Sequence, residues 1–369
     1  MQPLYNEEGI LEKDIAIRSK KRPPYTEEEL RIIDIASTIL RARNAVVFSL
    51  DECIGQEIDR VRRDPQDPKN WQPSQYTPDF SSEDWVEEVK QIKSDFKLLP
   101  LELLIVLIGD MITEEGLPTY ESLIKGASDA TNDITGTDKS NLAQWTRMWT
   151  AEENRHGDVL NRLLYVSGCV NMQEVERTIQ YLLASGFNPG IGQDPYKLFI
   201  YTSFQEEATR VSHINTAKLC RKKGVEHLYN VCNVIAQDEA RHYTFYKNVM
   251  KAIFDVDPNG AMTAYAYMLK HHIKMPAHQM NEHPQYPSLF DDFAFFAAQQ
   301  KVYTMDDYIA IMEKLHEQWN VTSRIVSTSK AREAQDYLGT LPDRLKNIAS
   351  RKKGSQSPIE ISRIPWLRT

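Results

Sequence analysis

Two short runs share one chemistry-bearing order: Glu152-Glu153-Asn154-Arg155-His156 and Asp238-Glu239-Ala240-Arg241-His242. Each sets an acid, a glutamate, an arginine and a histidine within five positions. Stepping by three and four along a helix puts Leu142, Trp145, Trp149, Glu153, His156, Leu160 and Leu163 on one face. The second run does the same with Leu228, Cys232, Ile235, Glu239, His242, Tyr246, Val249 and Ile253. In both, a carboxylate and an imidazole three apart interrupt a stripe that packing would fill with aliphatic groups. A buried carboxylate without a partner is costly, so both helices need compensating positive charge.

A metal ion supplies that charge. Two helices each turning Glu-x-x-His inward, with one further Glu from each of two other helices, make the di-iron or di-manganese bundle. Glu-x-x-His alone is weak, since composition yields roughly 0.7 matches by chance in such a chain. A third match, Glu313-x-x-His316, has Met312 where the acid stands and Leu315 in place of arginine, and reads as a surface or packing pair. The additional carboxylates are Glu114 or Glu115 in "GDMITEEGLP", and Glu206 or Glu207 in "IYTSFQEEATRVSHI". Periodicity leaves both pairs open, with a narrow preference for Glu207. Glutamate and histidine donors without cysteine suit iron or manganese better than zinc.

Long periodic stretches must carry these groups. In 369 residues there are only 15 glycines, which favours an all-α body. Helical patterns run over about 26–63, 83–97, 100–125, 140–166, 171–186, 194–223, 225–254, 258–273, 304–319 and 329–350, with a proline-rich loop over 63–84. We expect an irregular segment over 1–25, one helical domain over 26–350 and an extended or loosely docked tail over 351–369. The net charge of −8 argues against a nucleic-acid partner. Four scattered cysteines without CxxC spacing suggest a reducing compartment. No apolar run reaches the ~18 to 20 residues of a membrane span, and the acidic N-terminus does not resemble a transit peptide. The expectation is a soluble protein, cytoplasmic if bacterial and in the plastid stroma if algal or plant.

The stretches "GDMITEEGLPTYESL", "WTRMWTAEENRHGD", "TIQYLLASGFNP", "FIYTSFQEEATRVSHINTA", "DEARHYTFY" and "KMPAH" are similar to the soluble acyl-[acyl-carrier-protein] desaturases, over about residues 70 to 345. That resemblance implies a ferritin-like four-helix bundle inside a larger helical domain. It places the ligands of two iron ions at Glu114, Glu153, His156, Glu206, Glu239 and His242, overriding the preference for Glu207. It further implies electrons from reduced ferredoxin, O2 as co-substrate, acyl carrier protein as substrate carrier, and a homodimer. The expected activity is cis-Δ9 desaturation of a stearoyl or palmitoyl chain lying in a bent apolar channel. Trp71 matches a family tryptophan that joins Asp238 and His156 in an electron route; otherwise it is a loop tryptophan covering a core edge. Asp238 also suits the carboxylate that a ligating histidine needs behind it. Thr209 matches a threonine beside the oxygen-binding side, and on a core face such a residue often bonds only its own helix. "GQEIDRVRRDPQD" and the N-terminal segment depart from the plant enzymes, and Glu207 is an unusual acid beside a ligand. An acidic carrier calls for a basic surface, with candidates at Arg60, Arg62 and Arg63, at Arg221 to Lys223, and at Lys270 to Lys274. The alternatives are a related di-iron oxidase or hydroxylase, and a ferritin-like iron-binding protein.

Overall fold

The computed structural model describes residues 26–352 and 359–368, and the chain divides into two compact units, Met1–Ala42 and Arg43–Thr369. The expected irregular segment over 1–25 lies outside the described residues. Apart from one isolated bridge, the regular structure among the described residues is helical. In the first unit, Thr26 opens helix α1 (Glu27–Ser49) with a reciprocal cap: its backbone N–H donates to Glu29 and its hydroxyl accepts from the Glu29 N–H.

The second unit takes the last turns of α1 and then α2 (Asp51–Val61), α3 (Trp85–Phe96), α4 (Leu101–Glu114), α5 (Leu117–Gly126) and α6 (Asn141–Ser167). It continues with α7 (Met172–Ser185), α8 (Pro195–Lys222), α9 (Glu226–Val256), α10 (Pro258–Lys270), α11 (Leu289–Gln299), α12 (Met305–Gln318) and α13 (Ser329–Lys352). Four of these close a ring, α4 on α6, α6 on α9, α9 on α8 and α8 on α4. The ring is a four-helix bundle joined by shorter helices, an all-α fold.

Local chemistry sets where each bundle helix starts and stops. Helix α4 is apolar nearly all round and buried from Leu103 to Ile112, as an interior helix must be. A single helix over 100–125 was the expectation, but it breaks after Glu114. Pro118 has no N–H to donate to the carbonyl of Glu114, so the ladder ends there. Ser140 caps the start of α6, and Gly168 ends it in the left-handed region at φ 70°. Asp194 caps α8 ahead of Pro195, and its carboxylate also pairs with buried Arg43.

Three further differences from the sequence reading have local causes. The 26–63 stretch is two helices separated at Leu50. Helix α11 was not anticipated, because the prolines of His283–Phe290 masked the aromatic run that follows. It docks on α4 where Gly109 leaves room: a Cβ there would lie 2.2 Å from the Phe293 ring. The tail, over its described part 359–368, is docked: Trp366 is fully buried and its Nε1 donates to Thr178 on α7 at 3.0 Å. Among the described residues, no helix is long and apolar enough to cross a membrane.

Candidate metal centre

Every residue of the two apolar stripes on α6 and α9 is buried, including Glu153, His156, Glu239 and His242. The ring geometry turns these stripes toward each other and toward α4 and α8. Two overlapping groups of donor atoms result, Glu114 with Glu153, His156 and Glu239, and Glu206 with Glu153, Glu239 and His242. In each group the donor atoms all lie within 4.8 Å of one another. Glu153 and Glu239 belong to both. The six residues named from the sequence resemblance are therefore brought together in one buried place.

Both histidines point the same nitrogen inward. His156 Nδ1 lies 3.3 Å from Glu239, 3.6 Å from Glu153 and 3.7 Å from Glu114. His242 Nδ1 lies 2.7 Å from Glu153 and 3.3 Å from Glu206. Despite these separations, His156 Nδ1, His242 Nδ1, Glu153 Oε1 and Glu239 Oε1 make no hydrogen bond. Four buried polar atoms thus crowd one shared space without an aligned hydrogen bond among them, as donors around a cation do.

The electrostatics agree. Burial opposes ionisation of all four carboxyls. At Glu114 and Glu153 the neighbouring imidazoles outweigh it and hold the pKa below the ordinary value. At Glu206 and Glu239 burial and the charge of Glu153 win, and the pKa is raised. Without cations, four acids in this volume cannot all ionise. Two divalent cations would balance four carboxylates and leave the imidazoles neutral.

Behind the donors, the remaining residues of the five-residue motifs find their partners crosswise. His156 Nε2 on α6 faces Asp238 on α9 at 3.3 Å, and His242 Nε2 on α9 faces Glu152 on α6 at 2.8 Å. Arg155 donates to Asp238 and Arg241 to both Glu152 and Asp238, each at 2.7 Å. Burial opposes ionisation of Asp238 and Glu152, but the histidines and guanidiniums overcome it. They hold Asp238 far below the usual carboxylate range and Glu152 down to about 2. Glu152 was missed in the sequence, although its position matches that of Asp238 in the repeated motif.

Trp71 lies in this second layer. It is buried, donates from Nε1 to Asp238 at 2.8 Å and stacks on His156 with centroids 6.0 Å apart. Arg155 caps its other neighbours, lying over the ring at 4.7 Å and donating to the Trp71 carbonyl at 2.7 Å. Arg63 is drawn into the same network, 3.7 Å from Asp238, and is not a free surface charge.

The structure also separates the acids that helical phase left open. Glu115, the residue after α4, accepts from Asn161 at 3.1 Å. Glu207 is as buried as Glu206, but it accepts from Arg210 and Lys314, away from the donor cluster. Phase failed there because both faces of α8 are buried. The third Glu-x-x-His is no cluster: Glu313 pairs with Lys346, while His316 packs edge-on against Tyr265.

A cavity of about 660 Å³ opens beside the centre, within the ~300–1,000 Å³ range of small-molecule sites. Its walls are mostly apolar, from Phe204, Leu269, Ile273, Phe290, Phe293 and Leu341. Thr113, Glu114 and Thr209 line both it and a smaller pocket that reaches Glu153, Glu206, Glu239 and Trp149. The apolar space therefore turns past the donors. At that junction the Thr209 hydroxyl donates to the Gln205 carbonyl of its own helix at 3.0 Å. Of the three basic stretches, Lys270 to Lys274 adjoins the cavity, since His272 and Ile273 line it.

Comparison with known proteins adds an independent line. The sequence profile described as fatty acid desaturase matches residues 42–367. A stearoyl-[acyl-carrier-protein] 9-desaturase from Olea europaea is 40% identical over 345 residues, 92% of this chain and 87% of the relative. Stearoyl-[acyl-carrier-protein] 9-desaturase 5 from Arabidopsis thaliana is 45% identical over 78% of this chain and 72% of its own. Palmitoyl-[acyl-carrier-protein] 4-desaturase 3 from Ophrys sphegodes is 43% identical over 81% and 75%. An X-ray structure of DesA2 from Mycobacterium tuberculosis shares the fold, with a TM-score of 0.50, 15% identity and coverage of 79% of this chain and 99% of that one.

Proposed function

Because this chain belongs to the fatty acid desaturase family, we propose that it is an O2-dependent acyl-[acyl-carrier-protein] desaturase with iron ligands Glu114, Glu153, His156, Glu206, Glu239 and His242. One observation carries the assignment: two buried donor groups share Glu153 and Glu239 and leave their facing atoms without hydrogen bonds. Two iron ions bound there would activate O2, the oxidant that takes hydrogen from unactivated carbons, a reaction beyond side-chain acids and bases.

The chain's own residues do the rest. Glu153 and Glu239, common to both donor groups, would hold both ions, and Glu114 and Glu206 would each hold one. Asp238 and Glu152 accept the Nε2–H of His156 and His242, which fixes the tautomer and presents the Nδ1 lone pair inward. Trp71, between the Arg63 side and His156, is the route for electrons from reduced ferredoxin. Thr209 stands where the acyl chain passes the metals. The apolar cavity takes the chain and excludes water from it, while acyl carrier protein docks at the Lys270 to Lys274 rim.

The substrate is a stearoyl or palmitoyl chain with cis insertion at carbon 9, in line with the activity for which the olive and Arabidopsis relatives are named. The protein acts as a soluble homodimer, in the plastid stroma or the bacterial cytoplasm. Incubation with iron, reduced ferredoxin, O2 and stearoyl- or palmitoyl-carrier protein should give a monounsaturated chain. Hydroxylated product alone would assign it to the di-iron hydroxylases, and hundreds of irons per particle without product would make it an iron store.

A further inference from the structure

We infer that His213 is a positioning residue for Glu114, holding one carboxylate oxygen so that only the other is free for a metal. The inference rests on the metal reading above. His213 sits on α8 two turns after Glu206, fully buried, with Nε2 2.9 Å from Glu114 Oε1. Its Nδ1 has no hydrogen-bond partner, so the Nε2–H is the donor that meets the glutamate.

The bundle's two halves are otherwise matched, and here they diverge. Glu114 is the last residue of α4, at the carbonyl end of the helix, where the helix dipole disfavours a negative charge. Glu206 lies in the middle of α8 and has no histidine behind it other than the ligand His242. A carboxylate on a chain end that has lost its helical ladder also has more freedom to rotate. One donor answers both problems: it stabilises the charge and removes the rotation. Glu114 also lines the junction of the two cavities, so His213 fixes the orientation of a side chain that borders the apolar path.

The test compares His213→Leu, which keeps bulk and loses the donor, with His213→Gln, which keeps an N–H. Each is loaded with Fe(II) without oxygen, and iron release to a chelator is followed beside circular dichroism. The Leu variant should lose one of its two irons about tenfold faster than wild type, as loss of an outer hydrogen bond typically does, and the Gln variant should be close to wild type. Equal release from all three would overturn the role. A wild-type chain that takes up no iron would instead overturn the metal reading itself. Should the Leu variant not fold, the Zn(II)-loaded wild type still decides: the His213 ring N–H, assigned by its absence from the Gln variant, should exchange slowly with solvent. Rapid exchange contradicts the hydrogen bond.

Discussion

Glu152 on α6 accepts the outer nitrogen of His242 on α9 at 2.8 Å, so the acid of one motif serves the histidine of the other. Asp238 and His156 repeat the relation in the opposite direction at 3.3 Å. The two helices are thus locked in register by the same residues that orient the donors. Conserving helix phase alone would not achieve this, because each acid must reach across the bundle.

Removing that carboxylate should loosen metal without unfolding the bundle. Glu152→Ala is expected to weaken iron binding about 10- to 100-fold, the usual effect of an outer-shell partner. Equilibrium dialysis, with circular dichroism as the control, measures it. Unchanged affinity would make the contact with His242 incidental.

The cavity gives a separable prediction. Ala294 on α11 lines it, and Ala294→Trp places an indole in the path of the chain. We expect kcat/KM for the acyl carrier substrate to fall by about tenfold or more while iron per chain stays at wild type, since α11 supplies none of the six donors. Undiminished turnover of long chains would move the substrate elsewhere.

Acid sensitivity should come partly from His316. Burial without a partner for its Nε2 lowers its pKa from 6.5 to about 4, despite the opposing charge of Glu313. The folded value is depressed, so the unfolded chain takes up the proton first. Stability is complete above pH 6.5 and declines as pH falls toward 4, by about 3 kcal/mol in all. His316→Phe keeps the contact with Tyr265 and should flatten this part of the unfolding profile. A parallel profile for wild type and variant would exclude His316 as the cause.

The docked tail should matter for stability. Trp366→Ala empties a fully buried indole site and removes the N–H that the Thr178 hydroxyl accepts, at a cost of about 3–5 kcal/mol. Trp85→Ala, at a ring 40% exposed, should cost no more than about 1 kcal/mol in the same denaturant titration. Equal effects would mean that the tail contributes nothing to the fold.

Much of the site was legible because Glu-His spacing of three, set in an apolar stripe, is visible in one dimension. The stripes on α6 and α9 emerged as read. What stayed hidden was relational. Glu206 and Glu207 are both buried, and only the positions of Arg210 and Lys314 show that Glu207 has other business. Glu114 and Glu115 part in the same way, since Glu115 accepts from Asn161 while Glu114 joins the donors. Glu152 and His213 act across helices, and no periodicity along one helix reports a partner on another. Helix α11 falls in the gap between the expected stretches 258–273 and 304–319, just after Pro284 and Pro287, which break the helical pattern.

The most direct test of the central claim is anomalous diffraction at the iron edge from crystals of the Fe(II)-loaded protein. Two peaks should lie between α4, α6, α8 and α9, both touching Glu153 and Glu239, one with Glu114 and His156 and the other with Glu206 and His242. A single peak, or iron bound outside these six side chains, would contradict it.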